Sequence, residues 1–319
     1  MKVVVTDYTF PAVEAEAAAA AAGGAAFSAH QCKTEAEVAE AVAGADVVAV
    51  QFAPFGPRAA AAVRPGATVI RYGVGYDNID LEAAAAAGLK LGYVPDYCVE
   101  EVADHTAAAI LALLRKLPAL DASVRGGDWA AVKVAKPMKP FAETTVGFFG
   151  MGQIGSAVHA RLAGFGFRFI ASDPGRVEVP GVALVSAEAL LAEADILSLH
   201  APATAHTTGF FNAARLAQMQ PHAMIVNSAR GQLIEEADLA QALQDGTIAA
   251  AALDVFRTEP LPDDSPLRRA PNCLLSPHAA WYSEAAIGRL QGLVAEDIAR
   301  ALKGEPPRKP VPMPQGQIA

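Results

Sequence analysis

TVGFFGMGQIG, residues 145–155, joins an apolar, strand-forming run to three glycines spaced G-x-G-x-x-G. The glycine pattern alone is a weak signal, because glycine pairs abound in turns. Its setting makes it specific. The run TTVGFF precedes it, and Ile154, Val158 and Leu162 then repeat at the spacing of one helix face. A strand, a glycine turn and a helix N-terminus in that order suit a dinucleotide pyrophosphate. Gly150 permits the tight turn, Gly152 lets backbone approach the phosphates, and Gly155 lets helix and strand pack closely. The helix opened by Gln153 and Ile154 offers unpaired N–H groups and a positive dipole end to the same phosphates. Asp173 closes the next strand-like run, at the distance expected of the acid that binds both ribose hydroxyls. Its charge repels a 2′-phosphate, so NAD is expected over NADP. Arg176, three residues on, is the one feature against this; its plainer reading is a solvated loop arginine.

Outward from the fingerprint, β-branched runs alternate with alanine-rich helical stretches along the whole chain. Strands are expected at Lys2–Thr6, Asp46–Phe52, Thr68–Tyr72 and Leu89–Val94, with helices at Pro11–Ala22 and Leu81–Ala87. A helical stretch, Val99–Leu117, leads through a second helix to the segment Gly126–Pro140. The alternation then restarts, with strands expected at Thr145–Phe149, Arg168–Ser172, Ile196–His200, Ala223–Asn227, Ala250–Val255 and Cys273–Ser276. Apolar strands separated by helices imply parallel sheets covered on both faces. Two rounds imply two doubly wound α/β domains. The last helix, Glu284–Lys303, follows the second sheet and is expected to cross back to the first domain, making that domain discontinuous. The expected division is 1–97 with 284–319, and 98–283. The tail Gly304–Ala319, with five prolines, reads as extended or mobile.

Composition narrows the classes. The 319 residues are 53% apolar and 18% charged, which is globular. No charge-free apolar stretch is long enough to span a membrane, and the start, MKVVVTDYTF, lacks the features of a signal peptide. The formal charge is −9 with basic residues scattered, which disfavours nucleic-acid binding. Cys32, Cys98 and Cys273 lie far apart, without a CxxC pair. They read as reduced thiols in a cytoplasm, not as a disulfide frame or metal site.

A nicotinamide cofactor implies hydride transfer, which at a carbonyl needs a proton donor and a polarising group. Three charged residues follow strand-like runs beyond the fingerprint: Arg230 after AMIVNS, Glu259 after AALDV, and His278 after CLLS. Singly, each has a plain reading, as surface charges or a packed histidine. Together they fall at strand C-terminal ends, where α/β sheets bind ligands.

The stretches RYGVGYDNIDLEAAAAAGL, VPDYCVEEVADHTAAAILAL, VGFFGMGQIG, NSARGQLIEEADLAQAL, AALDVFRTEP and SPHAAWYSEAA run in order from residue 71 to 286. In them the chain resembles the D-isomer-specific 2-hydroxyacid dehydrogenases, and HAAWYSE is most similar to the C-terminal-binding-protein branch. The resemblance implies a discontinuous flavodoxin-like substrate domain with an inserted Rossmann NAD domain. It implies Arg230, Glu259 and His278 as the catalytic trio. Arg230 would hold a 2-oxo acid through its guanidinium fork, His278 would exchange the proton, and Glu259 would orient the imidazole. It further implies Val74 and Gly75 as amide donors to the substrate carboxylate. Thr106, Thr207, Ala229 and Asp254 would line the cofactor, with Asp254 on the carboxamide. The plainer reading of Val74 and Gly75 is a turn after a strand, and that of Asp254 a cap on local backbone. Trp281 is either a substrate wall or domain packing, and Cys98 reads as an inert packed thiol.

The leading expectation is an NAD-dependent dehydrogenase interconverting 2-oxo and D-2-hydroxy acids. Its alternative is an NAD(H)-gated protein-binding module of the corepressor type. A phosphoglycerate dehydrogenase fits less well, since no regulatory domain follows and Trp281 suits a bulky or apolar substrate. The connections near Pro95–Val99 and Ala280–Glu284 are expected to act as hinges. By resemblance, Leu117–Pro140 forms an arm embracing a second subunit, giving a homodimer through the NAD domain.

Overall fold

In the computed structural model, which describes residues 1–312, the first valine runs form the parallel sheet that their two-sided apolarity requires. Its elements are β1 (Lys2–Val5), α1 (Glu14–Ala22), β2 (Ala26–Ala29), α2 (Glu35–Ala41), β3 (Val47–Val50), α3 (Pro57–Ala62), β4 (Thr68–Arg71), α4 (Leu81–Ala86) and β5 (Lys90–Tyr93). The strand order is β2-β1-β3-β4-β5, all parallel, the flavodoxin-like order with its switch point between β1 and β3. Val3, Val4, Val5, Val48, Val50 and Val69 have no exposure at all. The second sheet is built from α5 (Val99–Leu114), α6 (Leu117–Arg125), α7 (Ala131–Ala135), β6 (Thr145–Phe149), α8 (Gln153–Leu162), β7 (Arg168–Ser172), β8 (Ala183–Leu184), α9 (Ala187–Glu193), β9 (Ile196–Leu199), α10 (Ala213–Leu216), β10 (Met224–Asn227), α11 (Glu236–Gln244), β11 (Ala250–Leu253) and β12 (Cys273–Leu275). Its order is β12-β11-β10-β9-β6-β7-β8, again parallel. The chain winds outward from β6 to β8 and returns to β9 on the other side of β6, so the switch point lies beside the fingerprint.

The chain divides into two compact units, Met1–Cys98 with the residues from Ser283 onward, and Val99–Tyr282. The closing helix α12 (Glu284–Leu302), capped by Ser283 through the Ala286 N–H at 2.9 Å, packs on α1. Alanines on α1 let the two helices approach closely. Glu16 of α1 is fully buried between them: it accepts from Tyr72 Oη at 2.9 Å and faces Gln291 Nε2 at 3.3 Å. Burial raises its carboxyl above the ordinary range.

Several elements depart from the sequence reading. The first helix starts at Glu14, not Pro11, because the Thr9 N–H is held by Gln51 Oε1 at 2.7 Å and the chain is still tied to the sheet there. The helix from Val99 stops at Leu114, and Lys116 takes a left-handed φ of 51°; Pro118 has no N–H to continue the ladder. β2 and β8 lie at sheet edges, with exposed or half-buried residues and no continuous apolar run. The tail is extended through residue 311. Pro310 bridges antiparallel to Gly92, and the Val311 N–H bonds to Leu91 O at 3.0 Å, which puts one more strand segment on β5. Residues 313–319 lie outside the described residues, and so does that part of the expected tail.

His200, directly after β9, is half-buried, with Nε2 2.8 Å from Ser198 Oγ. Burial pushes its imidazole down to about 4. It is therefore neutral in the folded chain, whereas the unfolded chain takes up that proton near pH 6.5. The stability it contributes is present at neutral pH and lost as pH falls from about 6.5 toward about 4. The urea midpoint of the wild type is expected to drop across this window. His200→Gln, which cannot titrate, should show a shallower drop; an identical pH slope in the variant would refute the assignment.

Candidate functional site

The fingerprint turn is dictated by space. Gly150 has φ +96°, and a Cβ there would lie 2.9 Å from Ala201 N and 3.0 Å from the His200 carbonyl carbon. Only glycine fits this turn. A Cβ on Gly155 would lie 2.7 Å from Gly150 O, so α8 packs directly on the turn. Gly152, by contrast, faces open space and caps α8 without a side-chain bond. The N–H groups of Gln153, Ile154 and Gly155 open the helix there, where a helix has no internal partner for them. An unobstructed backbone cradle ending on a helix N-terminus fits a pyrophosphate.

Asp173 stands one residue past β7. Its Oδ2 accepts from the Met151 N–H at 2.6 Å and its Oδ1 from the Gly175 N–H at 2.8 Å. Arg176 is exposed but is no free loop arginine: its Nε donates to Met151 O at 3.1 Å. Both backbone groups of Met151 are thus held by the loop after β7. Thr207 lies in the loop after β9 and bonds within it, donating to Pro202 O at 2.6 Å and accepting from the Thr204 N–H at 2.8 Å.

At the C-terminal ends of β10, β11 and β12 the trio comes together. Glu259 Oε2 lies 2.6 Å from His278 Nδ1, and Glu259 Oε1 accepts from the Phe256 N–H at 2.9 Å. A carboxylate only accepts, so Nδ1 carries the hydrogen and Nε2 faces away from the pair. Burial acts to raise the Glu259 carboxyl. The His278 hydrogen bond and charge, the Phe256 amide and the Arg230 charge outweigh it and hold Glu259 below the ordinary range. Arg230 is half-buried, with Nη1 donating to Ala229 O at 2.6 Å.

Three residues to which the sequence reading gave no role, Asn227, Ser276 and His105, bond to these loops or to each other. Asn227, 1% exposed at the end of β10, accepts from the Ala229 N–H at 3.0 Å and donates to Arg230 O at 2.9 Å. A lone asparagine closing an apolar strand was the available signal. Ser276 Oγ donates to Asp254 Oδ1 at 2.6 Å and lies 3.3 Å from His105 Nε2 of α5. Asp254 itself is 2% exposed and accepts from the Ala279 and Ala280 N–H groups at 2.8 and 2.9 Å, while its carbonyl accepts from the His278 N–H at 2.8 Å. The backbone cap, the alternative to a carboxamide contact for Asp254, is present, and it caps the histidine loop. Thr106 is fully buried, its hydroxyl on Val102 O at 2.7 Å and Ser228 Oγ at 2.6 Å. Trp281 is half-buried and meets the Tyr282 ring edge-on at 5.9 Å.

In the other unit, Val74 and Gly75 follow β4 as half-buried turn residues. Nearby, buried Asp7 takes the Gln51, Phe52 and Ala53 N–H groups at 3.0, 2.6 and 3.0 Å and so shapes the turn after β3. Its acid, set just past the first strand, was legible in MKVVVTD but carried no pattern. Among the described residues no group of three or more His, Cys, Asp or Glu side chains is placed to hold a metal ion. No helix among them is long and apolar enough to cross a membrane.

Comparison with known proteins agrees with this geometry. Residues 107–280 match the NAD-binding domain of the D-isomer specific 2-hydroxyacid dehydrogenases. A D-3-phosphoglycerate dehydrogenase of Mycobacterium bovis is 38% identical over 270 residues, 83% of this chain and 51% of that one. The chain thus spans about half the length of that relative. A glyoxylate reductase of Korarchaeum cryptofilum is 39% identical over 248 residues, 75% of this chain and 74% of that one. A crystal structure from Thermus thermophilus superposes with a TM-score of 0.86 at 32% identity, covering 98% of this chain and all of that one. These relatives do not single out the C-terminal-binding-protein branch. With a fingerprint on β6 and an Arg, a Glu and a His gathered at β10–β12, the chain belongs to the D-isomer-specific 2-hydroxyacid dehydrogenase family.

Proposed function

We propose that the protein is an NAD-dependent oxidoreductase interconverting 2-oxo acids and D-2-hydroxy acids. The observation that carries this reading is the 2.6 Å pair of Glu259 with His278 Nδ1, in the unit that holds the family's NAD-binding domain. Bound NADH supplies the hydride. The residues of the chain do the rest. Arg230, which cannot deprotonate, binds the carboxylate and ketone oxygens through its fork. His278, its Nδ1–H held by Glu259, presents Nε2 to the carbonyl oxygen and delivers the proton there, so the incipient alkoxide leaves as a hydroxyl. In the reverse direction Nε2 takes that proton back. Val74 and Gly75 offer backbone N–H groups to the carboxylate. Trp281 forms the substrate wall that grades side chains by size. Thr106, Thr207, Ala229 and Asp254 border the cofactor, Asp254 through the lone pairs its loop bonds leave over.

In this reading residues 1–97 and 284–319 form the substrate domain and 98–283 the NAD domain. The protein acts in the cytoplasm, which its three free cysteines favour. The enzyme reading is preferred to the protein-binding one, because the relatives named above are a dehydrogenase and a reductase. A homodimer is supported by the segment from α6 to Pro140. Leu117, Val124 and Val132 are each more than half exposed there, and Trp129 is 93% exposed; apolar side chains gathered on one segment favour an interaction surface.

The first test is NADH oxidation against 2-oxo acids graded by size and charge; no turnover on any of them would overturn the reading. His278→Ala is expected to lower kcat by about 10² to 10⁴ while NADH still binds, because proton transfer alone is removed. A variant losing cofactor affinity as badly as turnover would count against His278 as the acid. Asp173→Ala should weaken NADH and narrow the preference over NADPH, a change read from kcat/KM with each cofactor. Equal wild-type efficiency with the two would sink that role. Light scattering should give a dimer at micromolar concentration; a fully active monomer would refute the arm.

A further inference from the structure

Ser276 has one hydroxyl hydrogen, and its 2.6 Å contact with the nearly fully buried Asp254 carboxylate claims it, since a carboxylate cannot donate. Toward His105 Nε2, at 3.3 Å, Ser276 Oγ therefore has lone pairs alone. His105 Nε2 must carry the hydrogen and donate it. The three groups form a directed chain, His105 to Ser276 to Asp254, reaching from α5 to the loop after β12. His105 Nε2 also lies 3.9 Å from Asp254 Oδ1.

That loop carries the proton-transfer histidine in a costly conformation. His278 has φ +51°, a left-handed value that a residue with a Cβ adopts rarely. Such a conformation persists only where surrounding bonds over-determine it. Here Asp254 supplies them, accepting from Ser276 on one side of His278 and from Ala279 and Ala280 on the other.

We propose that His105 is a positioning residue for His278: its Nε2–H turns the Ser276 hydroxyl onto Asp254 and so holds the loop that sets the imidazole against Glu259. This rests on the reading of His278 as the proton donor. His105, Ser276 and Asp254 line a small cavity with Asn227, Ala252 and Leu274, so a truncated His105 would leave room for a water to replace the lost donor. His105→Leu keeps the bulk and removes the donor. His105→Gln places an amide N–H where Nε2 stood.

The experiment uses the full chain with NADH and reads two quantities. In His105→Leu, amide exchange at Ala279 and Ala280 should quicken about five- to tenfold, the usual effect of one lost hydrogen bond. With the best 2-oxo acid, kcat should fall by a similar factor while the NADH Kd stays within about twofold. His105→Gln should recover both, and Ser276→Ala, which also removes the donor to Asp254, should lose at least as much as His105→Leu, with the double variant no worse than Ser276→Ala alone. Unchanged exchange in His105→Leu, failure of His105→Gln to recover it, or additive effects in the double variant would each overturn the proposal. Should His105→Leu fail to fold, Ser276→Ala against His105→Gln decides the same question. Exchange needs no turnover, so a chain inactive on every 2-oxo acid would defeat the enzyme reading while the exchange rates still decide the role of His105.

Discussion

A carboxylate taken out of water has to be met by donors, and the loop after β12 is built around that demand. Asp254 sits at the end of β11 with 2% exposure. Its requirement is met by one hydroxyl and two backbone N–H groups, all from residues 276–280. The chain cannot supply those three donors without wrapping the loop around the carboxylate, and His278 lies at the middle of that wrap. The wrap around one buried carboxylate holds His278 at positive φ, and from there Nδ1 comes within 2.6 Å of Glu259. Glu259 and Arg230 are held in the same manner, through the Phe256 N–H and the Asn227 side chain.

The winding of the second sheet explains why residues 230, 259 and 278 meet although loops and helices separate them in the chain. Parallel strands put all their C-terminal ends on one edge. β10, β11 and β12 are sequential neighbours there, so each successive loop opens beside the last. The fingerprint opens from β6 on the same edge, beyond β9. The glycines enforce the contact between layers. A Cβ on Gly231, next to Arg230, would lie 2.0 Å from the Phe256 carbonyl carbon, so the arginine loop packs on the backbone leading to Glu259.

Much of this was legible in the chain. Strands buried on both faces read directly, because β-branched runs such as KVVV and TVGFF have no other stable home. G-x-G-x-x-G reads because its first and third glycines answer steric demands that the structure then shows, while the second leaves open space before the helix. The trio's place read from its spacing after strands. What did not read was of two kinds. Edge strands such as AFSA carry mixed exposure, which destroys the apolar signal. The residues that hold the loops, Asn227, Ser276, His105 and Asp7, are single polar side chains whose partners are groups brought near only by the fold. Arg176 shows the limit sharply: nothing in its neighbours marks a bond to Met151 O.

Asp173 illustrates how such a scaffold would serve the ribose binding proposed for it. Its two oxygens already accept from the Met151 and Gly175 N–H groups, which looks like competition with a ribose diol. Each carboxylate oxygen has two acceptor positions, however. One amide on each leaves one acceptor position on each, the two that the proposed ribose contact needs. The amides fix the plane of the carboxylate and bind it to the fingerprint, so turn and acid are positioned as one rigid piece. A ligand meeting both need not order either, and the entropy of immobilising them is not charged to binding. The same logic governs Glu259, where burial works against the charge and fixed donors outweigh it. In both cases backbone amides orient a carboxylate and leave lone pairs on it for another partner, His278 for Glu259 and the proposed ribose for Asp173.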